Sequence, residues 1–264
     1  MIKQILSWIL SKFKPKRDVR NTKKYKLNIL PDAVDERDYL QKSTFSFYTP
    51  MVLDYSEFVT VKQQGVIGSC GSHAACTGME MINNLNNAKW PIEFSELFHY
   101  WVVRQPEFFN TFPRDSGQNG RNAVAVMLKY GSSPESLMPY IASNYNISPD
   151  AFCLSFAKFW KIKQYERCYD ITGIKTALNE KKAVWLGIPV QNSIFANKGE
   201  VINFKIGTAV IGGHAMCVVG YNDDKQVLKV VNSWGPNWGT NGFGLISYDY
   251  LDKCSWFDAW SFGI

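Results

Sequence analysis

No run of apolar residues approaches the roughly 20 needed to cross a bilayer as a helix, so a membrane-spanning helix is excluded. Histidine is scarce, with 3 in 264 residues. The six cysteines (Cys70, Cys76, Cys153, Cys168, Cys217 and Cys254) include no CxxC pair and no zinc-type spacing. A structural zinc or a dithiol redox motif is therefore excluded, and neither a metal nor a cofactor is expected. Internal repeats are absent, and 46% hydrophobic against 20% charged residues excludes a disordered chain. The opening residues also lack the unbroken apolar core and small-residue cleavage site of a secretory signal. The expected location is cytoplasmic or virion-associated.

The body of the chain has no surplus of positive charge. Lys+Arg number 29 against 23 Asp+Glu, a net of +6, but residues 1–26 alone hold nine basic side chains and one acid. The remaining 238 residues carry 20 basic and 22 acidic groups, a net of −2. Nucleic-acid binding on the folded body is thus not expected. Within the tail, Ile2, Ile5, Leu6, Ile9, Leu10 and Phe13 share one helical face. Residues 1–13 read either as a weak membrane or partner anchor or as a helix docked on its own body. Reduced thiols fit the cysteine count, since one free nucleophile leaves an odd five. A Cys153–Cys168 bridge stays open.

Apolar spacing predicts helices over 72–87, 94–103, 121–130, near 152–156 and over 171–181. Short β-branched or alternating strands follow at 183–190, 214–221, 227–232 and 243–248. Helices first and strands second imply an α+β protein with the classes in separate lobes. The organisation expected is a basic tail and linker at 1–26, an extension at 27–50, a helical lobe at 51–165 and a β lobe at 166–264.

Three stretches carry chemistry: Gln64-Gly65-Val66-Ile67-Gly68-Ser69-Cys70-Gly71, Gly212-Gly213-His214-Ala215 running to Gly220-Tyr221, and Asn232-Ser233-Trp234-Gly235. An ordinary thiol is mostly protonated at neutral pH. Cys70 opens a helix, whose free N–H groups and dipole favour an anion. A histidine can hold the thiol proton, and an asparagine can orient that histidine. His73 sits on the nucleophile's own helix and His99 in an aromatic helix, which favours His214. Gln64, six residues before Cys70, can donate to a developing oxyanion together with the Cys70 N–H, and its spacing is preferred over that of Gln63.

Taken together, QGxxGSC, GGHAxxxxGY and NSWG in this order resemble the papain-like cysteine peptidases, in particular bacterial and viral-type members without a long prodomain. Further similar stretches are Pro31-Asp32-Ala33-Val34-Asp35, Phe94-Ser95-Glu96-Leu97 and Asp115-Ser116-Gly117, so the resemblance spans about residues 30–248. It implies a two-lobed fold, a helical lobe facing an antiparallel β-barrel-like lobe, with a peptide substrate in the cleft between them. Implied roles are nucleophile Cys70, base and later acid His214, orienter Asn232 and oxyanion donor Gln64. Gly68, Ser69, Gly117, Gly213, Ala215 and Trp234 are implied to line the substrate cleft. The sequence departs from the family pattern at Gly71, where many members have an aromatic residue, and at Ile67, where many have a disulfide cysteine. No stretch reads as the long helical prodomain, which leaves residues 1–50 as the latency device, with 27–50 expected along the cleft. Thioester-mediated peptide hydrolysis is the leading reading. A silent binding homologue and an acyl-transferring ligase are the alternatives.

Overall fold

The computed structural model describes residues 25–42, 49–87 and 91–264. The amphipathic segment at 1–13 and most of the basic linker lie outside them. Helix α1, Cys70–Asn87, is buried at every position from Cys70 through Asn83. A helix enclosed on all sides is a central one. Gly78 makes this closeness possible, because a Cβ there would lie 2.5 Å from the Phe262 ring. Four of the helices around it start at a short polar side chain that satisfies a free N–H group. Ser95 caps α2 (Glu96–Val103), Asn119 caps α3 (Gly120–Lys129), Asp150 caps α4 (Ala151–Ala157) and Asp170 caps α5 (Ile171–Asn179). Helix α6 is Tyr248–Lys253.

The strands are β1 (Val52–Asp54), β2 (Gln164–Cys168), β3 (Ala183–Gln191), β4 (Val201–Ile202), β5 (Val210–Asn222), β6 (Val227–Val231), β7 (Phe243–Ser247) and β8 (Asp258–Gly263). They form one sheet in the order β2-β8-β3-β5-β6-β7-β4, with β1 added on β5. All pairings are antiparallel except β4 with β7. Strand β3, Ala-Val-Trp-Leu-Gly-Ile-Pro-Val-Gln, is buried throughout, as suits a strand covered on both faces. Its register with β5 sets Ile188 opposite His214.

Two apolar clusters form. One unites α1 with the sheet through Ala75, Met79, Leu186, Val218 and Trp260. The other joins α2, α3 and α4 through Phe98, Tyr100, Val126, Tyr140 and Cys153. The helical lobe read at 51–165 gives up its first strand, because Val52–Asp54 pairs with Asn222–Gly220 of β5. All six cysteines are free, and Cys153 and Cys168 belong to different clusters, so no bridge joins them. Among the described residues no helix is long and apolar enough to cross a membrane.

Candidate active site

Cys70, the first residue of α1, is fully buried at the meeting line of helix and sheet. The backbone N–H groups of Ala215, Gly71, Cys70 and Asn28 approach its sulfur. Burial nevertheless dominates and pushes the thiol up to about 11. Ala215 follows His214 on β5, so the strand that carries the histidine passes over Cys70. Gly71 accommodates its neighbours closely. A Cβ there would lie 2.5 Å from Gln118 Nε2, and its carbonyl accepts from Trp185 Nε1 at 2.9 Å.

His214 is fully buried, and its Nε2 is 2.7 Å from Asn232 Oδ1. That same oxygen accepts from the Ser233 backbone N–H at 2.7 Å. A backbone N–H can only donate, so the atom is the amide oxygen and His214 Nε2 carries the proton. Nδ1 is then the basic nitrogen, and it is buried with no hydrogen-bond partner. Burial lowers the histidine to about 4, against the opposing bond from Asn232. Trp234 lies on His214 with ring centroids 4.5 Å apart and keeps water from the His–Asn bond.

Gln64 is held from two sides. Its Oε1 accepts from Ser233 Oγ at 2.7 Å and Trp234 Nε1 at 3.2 Å, which turns Nε2 the other way. Nε2 donates to Ile67 O at 3.0 Å and Lys26 O at 3.5 Å. The backbone around it is fixed by Gln64 N to Ser233 O at 2.8 Å and Gly235 N to Lys62 O at 3.0 Å. The Lys62 side chain runs into the interior, where it pairs with Glu80 of α1 and Glu96 of α2. This buried ion group ties the Gln64 segment to both helices.

The cleft holds a piece of the chain itself. Residues 25–30 cross it as a strap bonded to both walls: Ile29 N donates to Gly213 O at 3.1 Å, and Leu30 N donates to Gln118 O at 3.2 Å. Tyr25 stacks on Trp234 at 4.8 Å, Lys26 pairs with Asp115, and Ile29 is 2% exposed. The glycines of the cleft permit this backbone-on-backbone approach. A Cβ on Gly117 would lie 1.9 Å from Asn28 O, and one on Gly213 would lie 2.1 Å from Ile29 O.

Cys70, His214, Asn232, Gln64 and Trp234 thus converge on one place, and Gly68, Gly117, Gly213 and Ala215 line the strap or the sulfur. Ser69 does not join them with its side chain. Its hydroxyl turns inward to Tyr140 Oη at 2.7 Å, and its backbone carbonyl accepts from His73 N in the first turn of α1. Sequence reasoning set 27–50, and with it Asn28, along the cleft, but missed Tyr25 and Lys26 as cleft residues and Asp115 as the partner of Lys26. The only signal was an aromatic-basic-polar stretch just before the family-like segment. Among the described residues no group of three or more His, Cys, Asp or Glu side chains could hold a metal.

The chain matches the papain family of cysteine proteases over residues 50–264. An uncharacterized peptidase C1-like protein of Acanthamoeba polyphaga mimivirus is 30% identical over 76% of this chain and 70% of its own length. Cysteine proteinase 1 of Entamoeba histolytica is 29% identical over 69% of this chain and 58% of its own length. The chain therefore spans little more than half of that relative. The crystal structure of xylellain, a cysteine protease from Xylella fastidiosa, superposes with a TM-score of 0.81 and 27% identity, covering 93% of this chain and 98% of that one. The chain belongs to the papain family of cysteine proteases.

Proposed function

We propose that this chain is a cysteine endopeptidase that hydrolyses peptide bonds through a thioester acyl-enzyme and is held latent by its own residues 25–30. One observation carries the assignment of roles. Asn232 Oδ1 accepts from both Ser233 N and His214 Nε2, which leaves Nδ1 as the basic nitrogen. In the reaction His214 takes the Cys70 proton through Nδ1, and the thiolate attacks the substrate carbonyl carbon. Gln64 Nε2 and the Cys70 N–H donate to the oxyanion. His214 then returns the proton to the leaving amine, and a water deprotonated by the same nitrogen releases the acid. Asn232 holds the Nε2 proton throughout, and Trp234 shields their bond.

Latency follows from where the strap lies: it is bonded to Gly213 on one wall and Gln118 on the other, and Cys70 beneath it is fully buried. Under the strap the thiol is raised and the histidine lowered, so the pair rests uncharged. Intact-mass analysis after incubation with an epoxide-type cysteine peptidase inhibitor tests the reading. A single adduct at Cys70, slow in the wild-type chain and absent from Cys70→Ala, is expected. Peptide cleavage retained by Cys70→Ala would refute it.

A further inference from the structure

The Gln64 side chain has one amide nitrogen and two hydrogens to place. One goes to Ile67 O at 3.0 Å, and the other is left for the oxyanion site, where Lys26 O of the strap lies 3.5 Å from Nε2. Ile67 O therefore braces the donor. That carbonyl belongs to the same peptide unit as the Gly68 N–H, so the two turn together. Gly68 N donates to Asp115 Oδ1 at 2.8 Å. The Ile67–Gly68 peptide is thus clamped at both ends, by Gln64 at its oxygen and by Asp115 at its nitrogen. A glycine after the peptide tolerates either orientation of it, so the local backbone does not choose between them. No covalent tether chooses either, since Ile67 stands where many family members have a disulfide cysteine. Asp115 itself is firmly held. Its side chain is 10% exposed, and Oδ1 also accepts from Tyr100 Oη at 2.5 Å. Burial and the adjoining carboxylate keep this phenol protonated, and its oxygen accepts from Gly117 N at 3.1 Å. Arg104, at the end of α2, donates to the carbonyls of Arg114 at 3.0 Å and Pro113 at 3.4 Å, directly before Asp115. Lys26 pairs with the other carboxylate oxygen, Oδ2, so the clamp does not depend on the strap.

We infer that Asp115 is a positioning residue for the oxyanion site, acting on Gln64 through the Ile67–Gly68 peptide. The inference rests on the proposed peptidase reading and adds a residue to it. Without the carboxylate the peptide can turn, Ile67 O leaves Gln64 Nε2, and the amide is free to swing away from the oxyanion. No substrate atom has to touch Asp115, and the Cys70–His214 pair is left as it was. The loss therefore falls on carbonyl addition and not on the nucleophilicity of the sulfur.

The test uses the full chain carrying Lys26→Ala and Ile29→Ala as the parent, which loosens the strap and removes its pair with Asp115 from every variant. Two rates are compared. Hydrolysis of a fluorogenic peptidyl coumarin amide, chosen from a library as the one the parent cleaves fastest, passes through an oxyanion. Alkylation of Cys70 by iodoacetamide, followed by peptide mass mapping, is a direct displacement of iodide by sulfur and forms no oxyanion. With Asp115→Ala added, kcat for the amide should fall about tenfold or more with KM changed less than about threefold, while alkylation should keep at least about half its rate. Asp115→Asn keeps an oxygen for Gly68 N and Tyr100 Oη, so it should restore kcat to within about threefold of the parent. A fall shared equally by both rates, a change in KM alone, or no recovery with asparagine would overturn the inference and leave the peptidase reading standing. If Asp115→Ala does not fold, Tyr100→Phe is measured in its place, and an amide-to-alkylation ratio equal to the parent's overturns the inference. If the folded parent is alkylated at Cys70 yet cleaves no amide of the library, the peptidase reading itself falls, and this inference with it.

Discussion

At Asn232 one amide oxygen accepts two hydrogen bonds, and the second of them decides the protonation of the first partner. Ser233 N–H fixes the amide orientation, the amide fixes the His214 tautomer, and the tautomer leaves Nδ1 as the base. Asn232→Ala removes both acceptor contacts and leaves two buried N–H groups, His214 Nε2 and Ser233 N, without that partner. Such a loss is worth roughly 1–3 kcal/mol, so Cys70 modification by the epoxide should slow by about ten- to a hundredfold. Asn232→Asp keeps an oxygen for both donors and should retain most of the rate. If Asn232→Ala reacts as fast as the wild-type chain, the orienting role is wrong. Trp234 completes the arrangement, because its ring covers the bond and its indole N–H holds Gln64.

Among the elements, the strap decides whether the site is open. It is short and makes few backbone bonds, so its apolar anchor matters. Ile29 is 2% exposed in the cluster that unites α1 with the sheet. Replacing a buried isoleucine by alanine costs about 2–5 kcal/mol. Ile29→Ala should therefore shift the strap towards release and speed Cys70 modification by more than about tenfold, as followed by intact mass. An unchanged rate would mean that the strap does not gate the thiol. This element was legible in the sequence only as an extension near the cleft. Its contacts run from backbone to backbone, as Ile29 N to Gly213 O, and backbone pairing leaves no side-chain pattern. Helices α1 to α5 were legible because apolar periodicity marks their buried faces, whereas α6 was not, since its first residue, Tyr248, reads as the end of the strand before it. Strands β2 and β8 were not. Gln-Tyr-Glu-Arg-Cys is polar, and its place is set by pairing with a strand nearly a hundred residues away. The catalytic types were legible because motif spacing carries them. Asp115 was legible only as part of a family-like stretch, since its importance comes from Gly68, Tyr100 and Lys26, all distant in the chain.

Over the whole molecule, buried titratable groups pull stability in opposite directions with pH. Burial pushes Asp258 up to about 6 from an ordinary 3.8, and burial also raises Glu80 against the opposing charge of Lys62. Each therefore binds its proton more readily folded than unfolded. The stability that each contributes is present at low pH and is lost as pH rises through its folded value. Burial lowers His99 and His214 to about 4 from an ordinary 6.5. Each contributes stability that is present above its unfolded value and is lost as pH falls towards 4. Between about pH 5 and about pH 6 the unfolded chain gives up protons from the two histidines while the folded chain gives them up from the two carboxyls, so the slopes oppose each other. The wild-type chain should show nearly level stability across that interval in urea unfolding. Asp258→Asn removes one of the falling contributions and keeps an oxygen for the Asp32 N–H. Its stability should then rise with pH by about 1 kcal/mol per unit over the same interval, since one unmatched proton is worth about 1.4 kcal/mol per pH unit. A slope unchanged by Asp258→Asn would show that this carboxyl titrates alike in the folded and unfolded chains. The Asp32–Asp258 contact that joins the strap's extension to β8 would then be a solvated one.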